Sequence, residues 1–198
     1  PTPPAEPRLI FKFKFDSTQV RLNNFGAVAI MPANNRGQSP KFNKISAHYI
    51  ELAPDSLTAV GAGKKVYLAA ETSLGGSPAI NFSQAIVVAE GQEFFSLPLK
   101  DVTGTYKWLR VSLGYQNYDI RFKYVNVTPP LTIYGTGTIA SFVGYNTYLS
   151  SYLVKNQSIT VSPAQNKLQG YWGWESVTYS TTTMLEGQAP PGSTTVVN

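Results

Sequence analysis

Leu9-Ile10-Phe11-Lys12-Phe13-Lys14-Phe15-Asp16 alternates residue by residue: Leu9, Phe11, Phe13 and Phe15 fall on one side of an extended chain, and Lys12, Lys14 and Asp16 on the other. A period of two with one apolar face marks a half-buried strand. Outward from this stretch the same period recurs along the chain, and no window of helix length carries an apolar stripe at 3.6-residue spacing. The pattern predicts an all-β protein. Further strands are expected over Lys44 to Leu52, Lys65 to Ala70, Ala85 to Ala89, Glu93 to Leu97, Thr105 to Leu113, Asp119 to Asn126, Tyr145 to Val154 and Gln169 to Tyr179. Between them Asn23-Asn24-Phe25-Gly26, Gly61-Ala62-Gly63, Gly75-Gly76, Glu90-Gly91 and Pro129-Pro130 supply the positive or fixed φ that turns need. Eight or nine short strands with long loops predict a single antiparallel β-sandwich, with Greek-key connections as one arrangement.

At 198 residues and 42% hydrophobic content, the chain is long enough to bury a core without staples, and it has no cysteine to make any. One domain over 8–190 is the economical division. The leading Pro1 to Pro7 cannot start a helix or pair inside a sheet, so it reads as an extended tether. Such a leader is what removal of a signal peptide and anchoring residue leaves, and a trimmed cytosolic linker would look the same; the first reading, which is favoured, predicts export to the periplasm or the outer-membrane surface. Membrane contact is then expected only through a lipid anchor before this chain. The closing 191–198 ends in Thr194-Thr195-Val196-Val197-Asn198 and reads as the start of a further strand.

Sixteen basic against eleven acidic residues give a net charge of +5, yet the basic residues are scattered from Arg8 to Lys167 without a run. Nucleic-acid recognition needs them concentrated on one face, so no nucleic-acid partner is expected. The pairs Lys12 and Lys14, or Arg121 and Lys123, read as solvated strand faces that discourage edge pairing.

Twelve tyrosines, ten phenylalanines and three tryptophans stand against a single histidine. That inventory favours contact over acid–base, thiol or metal chemistry, and no GxSxG, phosphate-loop or HExxH pattern occurs. No catalytic residue is predicted, and the chain reads as a non-enzymatic binding or accessory module. Three segments mix rings with amides or a carboxylate: Tyr115-Gln116-Asn117-Tyr118, Tyr145-Asn146-Thr147-Tyr148 with Tyr152, and Tyr171-Trp172-Gly173-Trp174-Glu175. Rings that stack on sugar faces, with amides reading hydroxyls, make a glycan site; the same set makes a protein hot spot. The candidate ligand-binding residues are therefore Tyr115, Gln116, Asn117, Tyr118, Tyr148, Trp172 and Trp174, with Tyr115 and Tyr118 expected to flank a turn and to be exposed. The competing reading makes Trp172 and Trp174 core residues and Tyr148 and Tyr152 a cross-strand ladder.

His48 falls by alternation with Ile50 and Leu52, opposite Tyr49 and Glu51. As a ligand for copper or calcium it would need carboxylates, amides, Met31 or Met184 beside it; as a structural residue it needs one hydrogen-bond partner. No cofactor is otherwise expected.

Lys44 to Leu52, Lys65 to Ala70, the stretch Thr105-Tyr106-Lys107-Trp108-Leu109-Arg110-Val111-Ser112-Leu113-Gly114, and Gly170 to Glu175 followed by Met184-Leu185-Glu186-Gly187 together resemble uncharacterised β-sandwich lipoproteins of Bacteroidetes. More distantly their order is similar to the periplasmic MbnP-like family, with its mid-chain GxYxxLRxxLG-like strand, aromatic WxW strand and short LEG strand. The resemblance implies an exported β-sandwich that binds copper through several histidines, with modified tryptophan in some members. With His48 alone the copper site does not carry over, and at most Trp172 or Trp174 matches an aromatic position. Three functions follow as expectations: a surface module for a glycan or protein, a periplasmic copper-handling protein, or a structural subunit of a surface assembly.

Overall fold

The computed structural model describes residues 6–18, 20, 22–23, 25–30, 33 and 37–190. Most of the expected tether, Met31 and the closing 191–198 lie outside these residues. The described chain runs through β1 (Arg8–Lys12), β2 (Lys41–Ala53), β3 (Lys64–Leu68), β4 (Glu71–Thr72), β5 (Ala79–Asn81), β6 (Glu93–Pro98), β7 (Trp108–Asn126), β8 (Leu131–Phe142), β9 (Thr147–Leu153), β10 (Ser158–Lys167), β11 (Tyr171–Thr178) and β12 (Thr181–Gln188). The only helical pieces among the described residues are two 3₁₀ turns, and no helix is long and apolar enough to cross a membrane.

Three sheets result: a large one of six strands in the order β12-β11-β8-β7-β2-β3, a small one of four in the order β10-β9-β5-β4, and a ribbon of β1 with β6. Every pairing is antiparallel except β5 with β9. The fold is all-β, as the alternation predicts, but the described residues form twelve strands in place of eight or nine.

Two apolar clusters hold these layers together. Tyr115, Ala140, Phe142 and Tyr171 of the large sheet meet Leu149, Tyr152 and Val161 of the small one. Phe142 and Leu149 are wholly buried there, and each contributes roughly 1.5–3 kcal/mol by leaving water. In the second cluster Ile45, Ala47, Ile50, Tyr67 and Phe94 receive Phe11, Phe13 and Phe15. The opening stretch thus buries the face its alternation selects, although its ladder ends at Lys12 and not at Asp16.

The largest departure concerns β7. Two strands with an exposed turn at Tyr115 to Tyr118 are expected; one 19-residue strand is found. Gly114 is not a turn residue. It is the extra residue of a bulge, because Ala47 pairs with Leu113 while Ser46 pairs with Tyr115. A Cβ on Gly114 would stand 2.9 Å from Ile80 Cδ1, so the glycine admits the small sheet's side chain. Ala85 to Ala89 forms no strand and contributes one bridge, Val88 with Ile45. β8, β10 and β12 are strands beyond those the periodicity selects, and Gln169 to Tyr179 shortens to Tyr171–Thr178 before the turn at Tyr179 and Ser180.

Candidate functional site

The core-facing side of β7 carries Val111, Leu113, Tyr115 and Asn117, so Arg110, Ser112, Gln116 and Tyr118 point to the opposite side. Neighbouring strands extend that face in register. Tyr49 lies across from Ser112, Gln116 across from Ser141, and Ser141 across from Trp172. These side chains floor a groove of about 1060 Å³ running over β2, β7, β8 and β11. Val60, from the loop between β2 and β3, rises at one end; Gln169, Gly170 and Ala189 close the other.

The Val60 end is fixed by a buried ion pair. Glu51 Oε1 accepts the Gly63 N–H at 2.6 Å and Oε2 the Gly61 N–H at 3.2 Å, and Arg110 Nη1 stands 3.6 Å from that same Oε2. Arg110 in turn donates to the carbonyls of Ala59 and Thr58. Burial alone would raise the Glu51 carboxyl; the two N–H groups and the guanidinium outweigh it and hold its pKa below the ordinary carboxylate range. Arg110 is therefore committed to the loop.

The rest of the floor is open to a ligand. The Gln116 amide and the Trp172 indole N–H have no hydrogen-bond partner among the described residues. Trp172 lies flat enough on β12 that a Cβ on Gly187 would be 2.8 Å from its Cζ2. Burial raises the Tyr118 phenol and a hydrogen bond with Ser141 lowers it; the net shift is upward, so Tyr118 is a neutral hydroxyl. Three rings, one amide and two serines share one surface; Arg110 there is paired with Glu51, and the Lys65 ammonium lies 5.5 Å from the centre of the Tyr49 ring.

The sequence-selected residues divide sharply. Gln116, Tyr118 and Trp172 line this groove. Tyr115 and Asn117 do not: Tyr115 is 4% exposed, and Asn117 donates to the Val154 carbonyl at 2.7 Å and to the Tyr115 hydroxyl at 3.2 Å. They belong to the core because the expected turn is continuous strand. Burial pushes the Tyr115 phenol up to about 12 against the opposing Asn117 bond. Trp174 shares the face of Trp172 but packs edge-on to Phe122 and over Gly137, with its Nε1 donating to Ser176 Oγ at 3.0 Å. It is a half-buried packing residue beside the groove. Tyr148 sits on β9 of the small sheet, paired with Asn166 and Asn81, away from the groove. Tyr152 donates to the Tyr171 hydroxyl at 3.3 Å in the core, so it forms no exposed ladder with Tyr148.

His48 is 8% exposed at a shift in the β2–β7 register. Its Nε2 lies 2.8 Å from Glu71 Oε1, and its ring stacks on Tyr145 at 4.5 Å. Among the described residues no group of three His, Cys, Asp or Glu side chains is placed to hold a metal, and Glu71 is the one carboxylate at His48. That is the arrangement of a hydrogen-bonded structural histidine tying β2 to β4.

Tyr49, Arg110, Ser112 and Ser141 complete the floor without having been selected from sequence. Alternation held part of the signal: Tyr49 and Glu51 fall together opposite Ile50, and Arg110 and Ser112 opposite Val111. No family model matches the chain, and comparison with curated proteins and with solved structures gives no significant match.

Proposed function

We propose that the protein is a binding module that takes an extended glycan along the groove of the large sheet. The observation that supports this most directly is the convergence of Tyr49, Tyr118 and Trp172 with Gln116, Ser112 and Ser141 on one open face. Rings supply flat apolar platforms for sugar faces, and the amide and hydroxyls both donate and accept, as sugar hydroxyls require. In this reading the packed large and small sheets act as a sandwich with one binding face, and the module lies on an exported protein of the kind the lipoprotein resemblance implies. Catalysis has no part in it.

Isothermal titration and tryptophan fluorescence with cello-, xylo-, manno- and malto-hexaose test the assignment. At least one sugar should bind; Trp172→Ala should weaken it by about tenfold or more, and Gln116→Ala by a smaller factor. Tyr148→Ala, on the small sheet, should leave binding unchanged. Silence of all four sugars with the wild-type protein, or equal binding by Trp172→Ala, would remove the glycan reading.

A further inference from the structure

The β7–β8 hairpin outgrows the sheet that carries it. The last β2 partner of β7 is Lys41, opposite Asp119, and the last β11 partner of β8 is Ser176, opposite Gly137. From Arg121–Thr136 to Asn126–Leu131 six further rungs project as a two-stranded ribbon, about 20 Å long at roughly 3.4 Å per residue. Its base is clasped: Gln38 Nε2 donates to the Arg121 carbonyl at 2.7 Å, and the Arg121 N–H donates to Gln38 Oε1 at 3.0 Å.

Side chains along this ribbon are sorted by distance from its tip. At the end stand Val125, Val127 and Leu131, with Val127 81% exposed. Next come Tyr124 and Tyr134, the latter 73% exposed. Lys123 shares the rung of Tyr134, its ammonium 5.7 Å from the centre of that ring, and Arg121 lies two rungs further back. No acidic residue occurs between Arg121 and Thr136. The nearest, Asp119, accepts from Thr138 Oγ1 at 2.6 Å and Asn43 Nδ2 at 3.1 Å below the ribbon. An apolar end followed by two tyrosines, the second level with Lys123 and ahead of Arg121, matches a lipid surface: acyl boundary first, then an interfacial zone in which rings and cations sit among headgroups and phosphates. Lys123 stands three rungs from Leu131, about 10 Å, which is the depth to which interfacial segments bury their apolar part.

We propose that this ribbon docks tip-first into the surface of an anionic phospholipid bilayer, with Val127 and Leu131 below the headgroups, Tyr124 and Tyr134 among them, and Lys123 and Arg121 on the phosphates. Flotation with vesicles of phosphatidylcholine alone and of phosphatidylcholine mixed with phosphatidylglycerol tests it. The protein should float with the mixed vesicles, and added salt should weaken that binding. The double variant Val127→Asp/Leu131→Asp should lose roughly tenfold or more, and Lys123→Glu should lose binding to the anionic vesicles. All variants lie on a solvent-exposed ribbon, so their melting temperatures should match the wild type and exclude misfolding. A protein that stays in the soluble fraction with both vesicles overturns the proposal. So does binding that the double variant retains, which would move the contact to another surface. Concentration-dependent dimerisation abolished by the double variant, without vesicle binding, also overturns it and gives the tip to a second copy of this chain.

Discussion

Glu175 and Glu51 are the two wholly enclosed carboxylates, and each does its work on backbone. Glu175 Oε2 accepts three N–H groups in succession, from Lys155, Asn156 and Gln157, at 2.8–2.9 Å. Removing it strands three donors, so Glu175→Ala should destabilise the protein by about 3 kcal/mol and lower its melting temperature by roughly 6–12 °C, read by calorimetry. Glu51 makes the matching prediction in pH. Its folded-state pKa lies below the ordinary value of 4.5, so the stability it supplies is complete above that value and is lost progressively as the pH falls from there through the lower folded-state pKa. In Glu51→Gln that part of the acid loss should vanish from urea titrations taken from neutrality down to pH ~3, while stability at neutral pH drops. Nothing in the chain distinguishes these acids in advance. A Glu in an alternating strand reads as solvent-facing, and only the loop that folds back over it reveals otherwise.

At the level of strands, glycines opposite aromatic rings explain what periodicity missed. β8 contains Gly135 and Gly137, which weaken its strand signal when it is read alone. In the sheet those gaps are occupied: a Cβ on Gly135 would lie 2.8 Å from Phe122 Cζ, and one on Gly137 would lie 2.0 Å from Trp174 Cη2. Gly137→Ala should therefore cost about 1–3 kcal/mol, whereas Gly76→Ala, which meets no neighbouring atom but sits at φ +91°, should lose stability through backbone strain alone. Denaturant unfolding of the two variants, with tryptophan emission reporting the displaced Trp174 ring in the first only, separates these causes. β10 was missed because Pro163 interrupts it. It is an edge strand of the small sheet, where a missing N–H is tolerated. The opposite case is Gln116-Asn117, where the turn expected between Tyr115 and Tyr118 is continuous strand, so that half of the candidate site lies in the core. Gln116 and Tyr118 remain in the site because alternation still sends them outward; Tyr115 and Asn117 do not.

Across the whole molecule, three tyrosines mark the plane where the sheets meet. Burial pushes the Tyr152 phenol up to about 12, and Tyr171 is raised beyond it by burial and by its hydrogen bond to the Glu186 carboxylate. With Tyr115 also at about 12, all three hold their protons more tightly folded than unfolded. Stability from them is complete below pH ~10 and falls as the pH rises toward 12. Tyrosinate absorbance followed alongside circular dichroism should show these three ionising together with loss of structure, after the exposed tyrosines have titrated. Ionisation of every tyrosine without unfolding would mean that the layers are not sealed by these rings. Fold class was legible because alternation is a local property of the chain. Which face is core was legible in the opening stretch, where one side is wholly apolar, but not in β7, where both sides carry rings and amides and the partner sheet decides.

The Glu175 carboxylate has one more effect, on mechanics. It projects from the middle of β11 on the side away from Trp172 and grips the turn joining β9 to β10. Elsewhere the two layers meet through apolar contacts, which offer little resistance to sliding, and through separate single hydrogen bonds such as Asn117 to the Val154 carbonyl, Tyr152 to Tyr171 and His48 with Glu71. A single anion holding three amides acts as a shear pin: neither layer slips along the strand direction without breaking all three bonds at once. Trp172 is three residues away on the same strand, so the platform offered to a ligand is bolted from behind.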